Sequence, residues 1–462
     1  MARRFDAIVI GAGQAGPSLA GRLSAAGRQT AVIERAQFGG TCVNTGCIPT
    51  KTLIASAYVA HAARRARDFG VTIGGDVTVD MQAIKARKDA ISGASRDGLE
   101  KWLRGLPNVA VFKGAARFED ARTVRVNGEL LTAEQIFINV GGRASAPRFP
   151  GIERTPYLTN AGMMGVDFVP EHLVVVGGSY VGLEFAQMYR RFGSEVTVVE
   201  RDARLISRED ADISTGVQAI LESEGIRFRL NANCIRTSPA APGVSVSVDC
   251  KEGEPEVRGS HLLLAVGRQP NTGDLGLERA GIEANERGYI TVDDECRTNV
   301  AGIWAMGECN GRGAFTHTAY NDYEIVAANL LDGDPRRISD RIPCYALFTD
   351  PPLGRIGLTE TEVRRQGRRA LVGTRAMRDV KRAVERGESQ GFIKVIAAED
   401  THEILGAAIL GLNGDEVVHC LLDVMYARAR YEVVARAVHI HPTVSELIPT
   451  VLQTLRPLAD GA

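Results

Sequence analysis

The stretch that decides the fold is residues 5–16, which read Phe-Asp-Ala-Ile-Val-Ile-Gly-Ala-Gly-Gln-Ala-Gly. Its apolar half has the length of a buried strand, and its glycines follow the spacing G-x-G-x-x-G. Gly11 permits a tight turn, Gly13 lets the backbone approach a pyrophosphate, and Gly16 allows a helix to pack closely on the strand. The stretch therefore predicts a strand, a phosphate-binding loop and the start of a helix.

A second copy of this pattern lies further along the chain. Residues 30–34 predict a second strand that ends on Glu34, whose carboxylate is placed to accept hydrogen bonds from a ribose diol. The unit recurs at a constant offset of 166 residues, with its first strand at residues 173–176 and its acid at Glu200. The second loop carries Gly177, Ser179 and Gly182. Two complete units predict two dinucleotide sites in an α/β fold with parallel strands.

The second loop differs from the first at its middle position, where Ser179 replaces glycine. Serine is small, so the close approach of a pyrophosphate is strained but not excluded. Glu200 favours NADH, because a carboxylate repels the additional phosphate of NADPH. Arg201 and Arg204 are near enough in sequence to offset that repulsion. We expect NADH, and NADPH stays open.

The bulk composition excludes several classes of function. The 462 residues carry a net charge of −1 and are 44% hydrophobic, which is ordinary for a globular protein and gives no reason to expect a nucleic-acid or membrane partner. No run of about 18 apolar residues occurs, so we expect no transmembrane helix. Of eight cysteines, only Cys42 and Cys47 form a close pair. This argues against a secreted disulfide framework and predicts a cytoplasmic protein.

The close cysteine pair lies in residues 39–51, which read Gly-Gly-Thr-Cys-Val-Asn-Thr-Gly-Cys-Ile-Pro-Thr-Lys. C-x₄-C is not the spacing of a zinc site with a second pair elsewhere, so we expect no metal cofactor. If a helix begins near Cys42, the distance to Cys47 is little more than one turn, and the two sulfurs can meet. A helix N-terminus with Lys51 nearby also favours a thiolate. The pair is therefore predicted to be redox-active.

Residues 39–51 resemble the redox-active motif of the class I pyridine nucleotide–disulfide oxidoreductases. That family includes dihydrolipoamide dehydrogenase, glutathione reductase and mercuric reductase, and the resemblance extends from Ile8 to about Leu455. It implies FAD on the first glycine loop and a nicotinamide nucleotide, NAD(P)H, on the second. It also implies an α/β fold with two Rossmann-like domains, for FAD and NAD(P), and a C-terminal α+β dimerisation domain.

The end of the chain loses the glycine-loop pattern, which sets the expected domain boundaries. After about residue 341, strand-like runs (391–397, 404–411) and helical runs (415–429, 444–455) follow without a glycine-rich loop. We predict an FAD-binding domain in two parts, a nicotinamide-nucleotide domain between them and an interface domain at the end. The FAD-binding domain covers residues 1–150 and 269–340, and the nicotinamide-nucleotide domain covers residues 151–268. The interface domain covers residues 341–462.

The resemblance also implies roles for five residues around the flavin. Cys47 would be the thiolate that faces the flavin, and Cys42 the thiol that exchanges with the acceptor. Lys51 would lie near the reactive flavin nitrogen, paired with Glu184. Tyr180 falls where the family places a gate over the flavin face that nicotinamide uses.

Residues 301–308, Ala-Gly-Ile-Trp-Ala-Met-Gly-Glu, resemble the second FAD motif of the family. That motif usually ends on Asp, which binds the ribityl chain. Here it ends on Glu308, one methylene longer, so we expect the geometry of this contact to differ. The further residues that we assign to the cofactor sites are Gly40, Thr41, Lys51, Gly114, Gly142, Gly267 and Gly307.

A proton carrier is predicted in residues 439–446, which read His-Ile-His-Pro-Thr-Val-Ser-Glu. His441 suits acid–base work because histidine titrates near neutral pH, and Glu446 can orient the imidazole. The same residues also fit a capped helix start, with Thr443 or Ser445 as the cap. The motif resembles the His–Glu dyad of the disulfide-reducing branches. That resemblance implies a homodimer in which His441 completes the partner subunit's active site.

Together these features predict an FAD-dependent NAD(P)H oxidoreductase that passes electrons through Cys47 and Cys42 to a small-molecule disulfide or a soft metal ion. The reverse direction, oxidation of a dithiol by NAD, fits the same parts. The cysteine segment and residues 348–353 resemble the mercuric-reductase-like branch, which we favour. Residues 455–462 hold no cysteine pair, so we expect only Cys42 and Cys47 to bind such an ion. Dihydrolipoamide dehydrogenase is the alternative, and a flavin-binding redox sensor is the alternative of another class.

Overall fold

The computed structural model describes residues 2–145, 149–249 and 254–459. It is a mixed α/β structure with two Rossmann-like units and a C-terminal sheet packed with helices. This confirms the predicted fold class. Within the described residues, no helix is both long and apolar enough to cross a lipid bilayer.

The first unit is built on a seven-stranded sheet around the strand that precedes the first glycine loop. Its elements are β1 (Arg3–Ile10), α1 (Ala15–Ala25), β2 (Thr30–Glu34), α2 (Gly40–Asn44), α3 (Cys47–Arg64), α4 (Met81–Gly105), β3 (Val109–Lys113), β4 (Ala116–Phe118), β5 (Thr123–Val126), β6 (Glu129–Ile138) and β7 (Gly142–Ala144). β1 lies between β2 and β6 and is parallel to both. Its central residues are fully buried, which explains their continuous apolar run.

The second unit repeats this arrangement on a four-stranded sheet. Its elements are α5 (Asn160–Met163), β8 (His172–Val176), α6 (Tyr180–Phe192), β9 (Glu195–Val199), α7 (Ala211–Ser223), β10 (Arg227–Arg229), β11 (Asn233–Pro239), β12 (Val244–Asp249), β13 (Glu256–Gly259) and β14 (His261–Leu264). β8 lies between β9 and β14 and is parallel to both. It is therefore the counterpart of β1. β11, β12 and β13 form a separate antiparallel sheet.

After β14 the chain returns to the first unit. β15 (Arg268–Pro270) pairs antiparallel with β7, and β16 (Ile303–Ala305) pairs parallel with β6. α8 (Thr316–Ala327) then packs against α1. An FAD-binding domain in two parts requires the chain to come back to the first sheet in this way. The exact boundary residues of the domains stay a prediction.

The C-terminal part is a six-stranded antiparallel sheet in the order β17-β18-β21-β20-β19-β22. Its elements are β17 (Cys344–Leu347), β18 (Leu353–Gly357), α9 (Glu360–Arg365), β19 (Ala370–Ala376), α10 (Lys381–Glu385), β20 (Phe392–Ala398), β21 (Ile404–Leu410), α11 (Gly414–Val417), α12 (His419–Tyr426), α13 (Glu432–Ala435), α14 (Ile448–Gln453) and β22 (Arg456–Pro457). The two predicted strands match β20 and β21 closely. The predicted helix over 415–429 is instead divided into α11 and α12.

Buried ion pairs fix the C-terminal part against the second unit. Arg191 in α6 donates to Glu224 at 2.7 and 2.8 Å and to Asp350 at 2.6 Å. Lys394 in β20 is fully buried and donates to Asp212 at 2.7 Å. Buried charges are tolerated only when they are paired in this way. The pairs therefore hold the units in a fixed relation around the cavity between them.

Candidate active site

One cavity of about 1210 Å³ joins the two glycine loops and contains the cysteine pair. The predicted site residues that line it are Gly11, Gly13, Glu34, Gly40, Thr41, Cys42, Cys47, Lys51, Gly114, Gly142, Ser179, Tyr180, Glu184, Glu200, Gly267 and Glu308. Four predicted glycines lie next to the cavity-lining segments of the chain without lining the cavity themselves: Gly16, Gly177, Gly182 and Gly307. His441 and Glu446 lie away from the cavity of their own chain.

The first glycine loop has the shape that a pyrophosphate requires. A Cβ at Gly16 would collide with the carbonyl oxygen of Gly11, so helix and strand approach more closely than a side chain allows. Just after β6, Asn139 places a buried side-chain amide nitrogen beside Gly13. This nitrogen has no hydrogen-bond partner among the described residues. Since a buried donor needs an acceptor, these residues fit an anionic phosphate at the start of the helix.

The acids of the two units make the same contacts. Glu34 accepts hydrogen bonds from the backbone N–H groups of Ala12, at 2.8 Å, and Ala36, at 2.7 Å. Glu200 accepts from the N–H groups at the two equivalent positions of the second unit, at 2.5 and 2.9 Å. Both carboxylates line the cavity and retain lone pairs for ribose hydroxyls. The repeat seen in the sequence is therefore a repeat of hydrogen bonding as well.

The second glycine loop keeps its two outer glycines for the same steric reason as the first. A Cβ at Gly182 would collide with the carbonyl oxygen of Gly177. Ser179 precedes α6, is exposed in the cavity and makes no capping hydrogen bond with its side chain. Its hydroxyl is thus free to contact a nucleotide. Arg204 and Arg208 line the same end of the cavity and are exposed.

The cysteine pair occupies a break between two helices. Cys42 lies within α2, whereas Cys47 is the first residue of α3, so the continuous turn considered from the sequence is interrupted. Cys47 is exposed in the cavity, and its Sγ lies 3.1 Å from Oγ1 of Thr316. Hydrogen bonding from Cys42, with help from Thr316 and the charge of Lys51, lowers the pKa of Cys47 to about 6. The same contact and burial raise the pKa of Cys42.

The predicted lysine–glutamate pair is formed beside the cysteines. Nζ of Lys51 donates to Oε2 of Glu184 at 2.8 Å. The other carboxylate oxygen of Glu184 accepts the backbone N–H of Phe348 at 3.1 Å. Nζ of Lys51 also lies 4.4 Å from the centre of the Phe348 ring. Glu184 and Phe348, from two distant parts of the chain, therefore fix the ammonium group in the cavity wall.

Tyr180 begins α6, one helical turn before Glu184, and stands in an aromatic cluster in the cavity wall. Its ring lies edge-on to Phe315, at 6.2 Å between centroids, and to Tyr345, at 5.5 Å. The three rings come from the two units and the C-terminal part. The cluster is thus where all three meet.

Glu308 makes an ion pair that the sequence did not predict. Its carboxylate accepts two hydrogen bonds from Arg268, at 2.5 and 2.8 Å. Arg268 also donates to the carbonyl oxygen of Gly142 at 2.8 Å. The Glu308 carboxylate therefore forms a bidentate ion pair with Arg268 in the cavity wall.

The histidine–glutamate dyad is formed on the surface of the chain. Nδ1 of His441 lies 2.8 Å from Oε2 of Glu446. The side chain of His441 is 73% exposed, and the nearby Val438 and Ile440 are 100% and 80% exposed. Apolar residues this exposed are typical of a surface that another chain covers.

Comparison with known proteins identifies the family. The family described as pyridine nucleotide-disulphide oxidoreductase matches residues 5–322, and its dimerisation domain matches residues 344–452. The chain belongs to this family. Its members use FAD and NAD(P)H, so the protein is a flavoprotein oxidoreductase and its C-terminal sheet is the dimerisation domain.

Three relatives span nearly the whole chain. The probable pyridine nucleotide-disulfide oxidoreductase RclA of Escherichia coli (strain K12) is 36% identical, over 96% of this chain and 97% of its own. Mercuric reductase of Streptomyces lividans is 32% identical, over 97% and 96%. Dihydrolipoyl dehydrogenase of Haloferax volcanii is 34% identical, over 96% and 94%. A solved Cu(II) complex of E. coli RclA, a HOCl-induced flavoprotein disulfide reductase, superposes with a TM-score of 0.89 at 34% identity, covering 98% and 99% of the two chains.

Several residues of the site carry no signal in the sequence. Thr316 reaches Cys47 across 269 residues of chain, and Asn139 reaches the first glycine loop from the far end of β6. Thr316 lies outside the sequence motifs, and Asn139 lies at the end of a strand-like run that carries no signal of a phosphate contact. The only sequence signal for a contact of Thr316 with the site is its position soon after residues 301–308.

Proposed function

We propose that the protein takes electrons from NADH and passes them through Cys47 and Cys42 to a small-molecule disulfide or a soft metal ion. The observation that carries this proposal is that the pair shares one cavity with both dinucleotide loops, while the pKa of Cys47 is lowered to about 6. A thiol of that pKa is mostly thiolate at neutral pH. We assign the first loop to FAD and the second to the nicotinamide nucleotide.

The fit of the first loop to FAD rests on the close glycine turn and on the unpaired amide of Asn139. When bound there, FAD supplies a two-electron relay between the nicotinamide and the Cys42–Cys47 disulfide. Lys51, fixed by Glu184 at 2.8 Å, would offer bound FAD a positive charge from the cavity wall, which stabilises negative charge on the reduced group. Cys47 takes the resulting thiolate charge, and Thr316 stabilises it by hydrogen bonding.

The cysteines divide the thiol chemistry between them. With a disulfide acceptor, the sulfur of Cys42 attacks one acceptor sulfur, which forms a mixed disulfide and releases one thiol. The sulfur of Cys47 then attacks Cys42, which releases the second thiol and restores the Cys42–Cys47 disulfide. Because the pKa of Cys42 is raised, its thiol needs a base before it attacks. We assign that role to His441 of the partner subunit, which Glu446 orients through Nδ1.

A soft metal ion is the acceptor class we favour, as in the mercuric-reductase-like branch. Two thiolates are suitable ligands for such an ion. Among the cysteines whose side chains are described, Cys296 and Cys309 are buried and no other lies paired with a second thiol in the cavity. The relationship to a mercuric reductase and to a protein solved with Cu(II) supports Hg²⁺ and Cu²⁺ as the ions to test.

Dihydrolipoamide dehydrogenase is the second candidate, and the His441–Glu446 contact at 2.8 Å is what favours it. Steady-state rates with lipoamide, glutathione disulfide, Hg²⁺, Cu²⁺, quinones and O₂, measured with NADH and NADPH in parallel, decide between the candidates. We expect repeated turnover with a metal ion. Lipoamide as the only efficient acceptor would replace this proposal by the second candidate. Reduction that stops after one equivalent with every acceptor would favour a redox sensor.

The proposal includes a cytoplasmic homodimer with the domain boundaries given by the sequence. The dimerisation domain and the exposed Val438 and Ile440 support a second copy next to the dyad. A sedimentation experiment on the holoenzyme tests this part. A monomer that turns over at full rate would contradict the shared active site.

A further inference from the structure

A buried carboxylate, that of Glu209, lies behind the ring of Tyr180. The Tyr180 hydroxyl donates to Oε1 of Glu209 at 3.4 Å, and the Tyr345 hydroxyl donates to the same oxygen at 2.5 Å. The Glu209 side chain is completely buried. A separation of 3.4 Å is at the long end for a hydrogen bond between oxygens. The bond to Tyr180 is therefore the weaker of the two and the easier one to break.

The carboxylate keeps other partners when Tyr180 leaves. Nε of Arg355 lies 3.7 Å from Oε2 of Glu209, and the Arg355 side chain is 1% exposed. The guanidinium nitrogens of Arg355 make no hydrogen bond within the described residues, so Glu209 is their nearest counter-charge. Arg355 stands directly opposite Tyr345 in the pairing of β17 with β18. One rigid sheet therefore carries both groups that hold Glu209.

We propose that Glu209 is a positioning residue that latches Tyr180 over the nicotinamide position, while Tyr345 and Arg355 keep the carboxylate in place when the ring swings out. The inference rests on the proposed function and on the role that the family resemblance implies for Tyr180, a gate over the flavin face that the nicotinamide uses. Nicotinamide binds only when the ring is out. Its apparent affinity is therefore reduced by the fraction of molecules in which the latch is closed.

The latch predicts opposite effects for two variants. Tyr345→Phe leaves Tyr180 as the only hydroxyl on Oε1, which strengthens the closed state and raises the dissociation constant for NADH by about three- to tenfold. Glu209→Gln replaces a charged acceptor by a weaker neutral one and lowers that constant by a similar factor. Stopped-flow measurement of flavin reduction at a series of NADH concentrations gives the dissociation constant of each variant. The limiting rate of reduction at saturating NADH should change by less than about twofold, because every molecule with NADH bound has the Tyr180 ring swung out.

Two further variants serve as controls for changes in the dissociation constant that do not come from the latch. Glu209→Gln leaves Arg355 buried without a counter-charge, which is costly, so the double variant Glu209→Gln/Arg355→Met removes both charges together. Tyr189→Phe is the matched control, because its hydroxyl lies buried in the same helix with no partner among the described residues. The control should leave the dissociation constant unchanged. Shifts of the same sign for Tyr345→Phe and the Glu209 variants, or no shift in either, overturn the latch.

A measurement without nucleotide separates the latch from the proposed function. A double-mutant cycle of Tyr180→Phe with Glu209→Gln on the urea unfolding of the holoenzyme should show coupling of at least about twofold in the unfolding equilibrium constant. Coupling in a protein that NADH does not reduce would refute the proposed function and leave the contact intact. Strict additivity, together with normal reduction by NADH, would refute the latch alone.

Discussion

Replacing Thr316 by valine tests how the pKa of Cys47 is set. Valine has the shape of threonine but lacks the hydroxyl that lies 3.1 Å from Sγ of Cys47. A hydrogen bond to a charged group contributes about 1.5–3 kcal/mol, so its loss should raise the pKa by at least about one pH unit. Starting from a pKa of about 6, the thiolate fraction at pH 7 should fall from roughly nine-tenths to about one half or less.

The assay is the rate of alkylation of Cys47 by iodoacetamide in the reduced holoenzyme, followed from pH 4.5 to 9.5, a range that spans the ordinary thiol pKa of ~8.5. Thiolate is the reactive form, so the midpoint of the rate profile reports the pKa of Cys47. Thr316→Ser keeps a hydroxyl and serves as the matched control, with a midpoint close to that of the wild type. A midpoint that does not move in Thr316→Val, or a wild-type midpoint near the ordinary thiol value, would refute this explanation.

Three further perturbations follow from the contacts. His441→Ala should lower acceptor turnover by roughly 10²–10⁴ while reduction of the flavin by NADH survives, because His441 acts only on the thiol half-reaction; equal loss in both half-reactions would point to a dimerisation defect. Glu200→Ala should reduce the ratio of kcat/KM for NADH over NADPH by about tenfold, since the repelling charge is gone; an unchanged ratio contradicts the assignment of Glu200. Arg191→Met leaves the half-buried carboxylates of Glu224 and Asp350 without their cation, and should cost about 3–5 kcal/mol in urea unfolding; a loss below about 1 kcal/mol would show that the pairs are not structural.

The sequence predicted the repeated units well because their constraints are local. A glycine turn, a helix and an acidic strand end lie within about 24 residues, and each requires particular residue types. The offset of 166 residues that links Glu34 to Glu200 also links their backbone donors. The sequence predicted both units and a ribose contact for each acid, and the structure adds that each acid also accepts two backbone hydrogen bonds at equivalent positions.

The contacts that the sequence did not predict join distant parts of the chain. Thr316 and Asn139 acquire their positions only when separate strands assemble, so no local pattern identifies them. Glu308 and Arg268 are 40 residues apart in sequence, and their bidentate ion pair forms only when β15, which contains Arg268, pairs with β7. Glu209 carries no local sequence signal for the same reason, since its partners Tyr345 and Arg355 belong to the C-terminal sheet.

The central claim is that electrons from NADH reach the acceptor through the cysteine pair. Its most direct test is anaerobic titration of the oxidised holoenzyme with NADH, followed by acid quenching, alkylation and mass spectrometry of the peptide that contains Cys42 and Cys47. We predict that the first equivalent of NADH converts this peptide from the disulfide form to two alkylated thiols. Reduction of the flavin with the disulfide still intact, followed by normal turnover of the acceptor, would contradict the account.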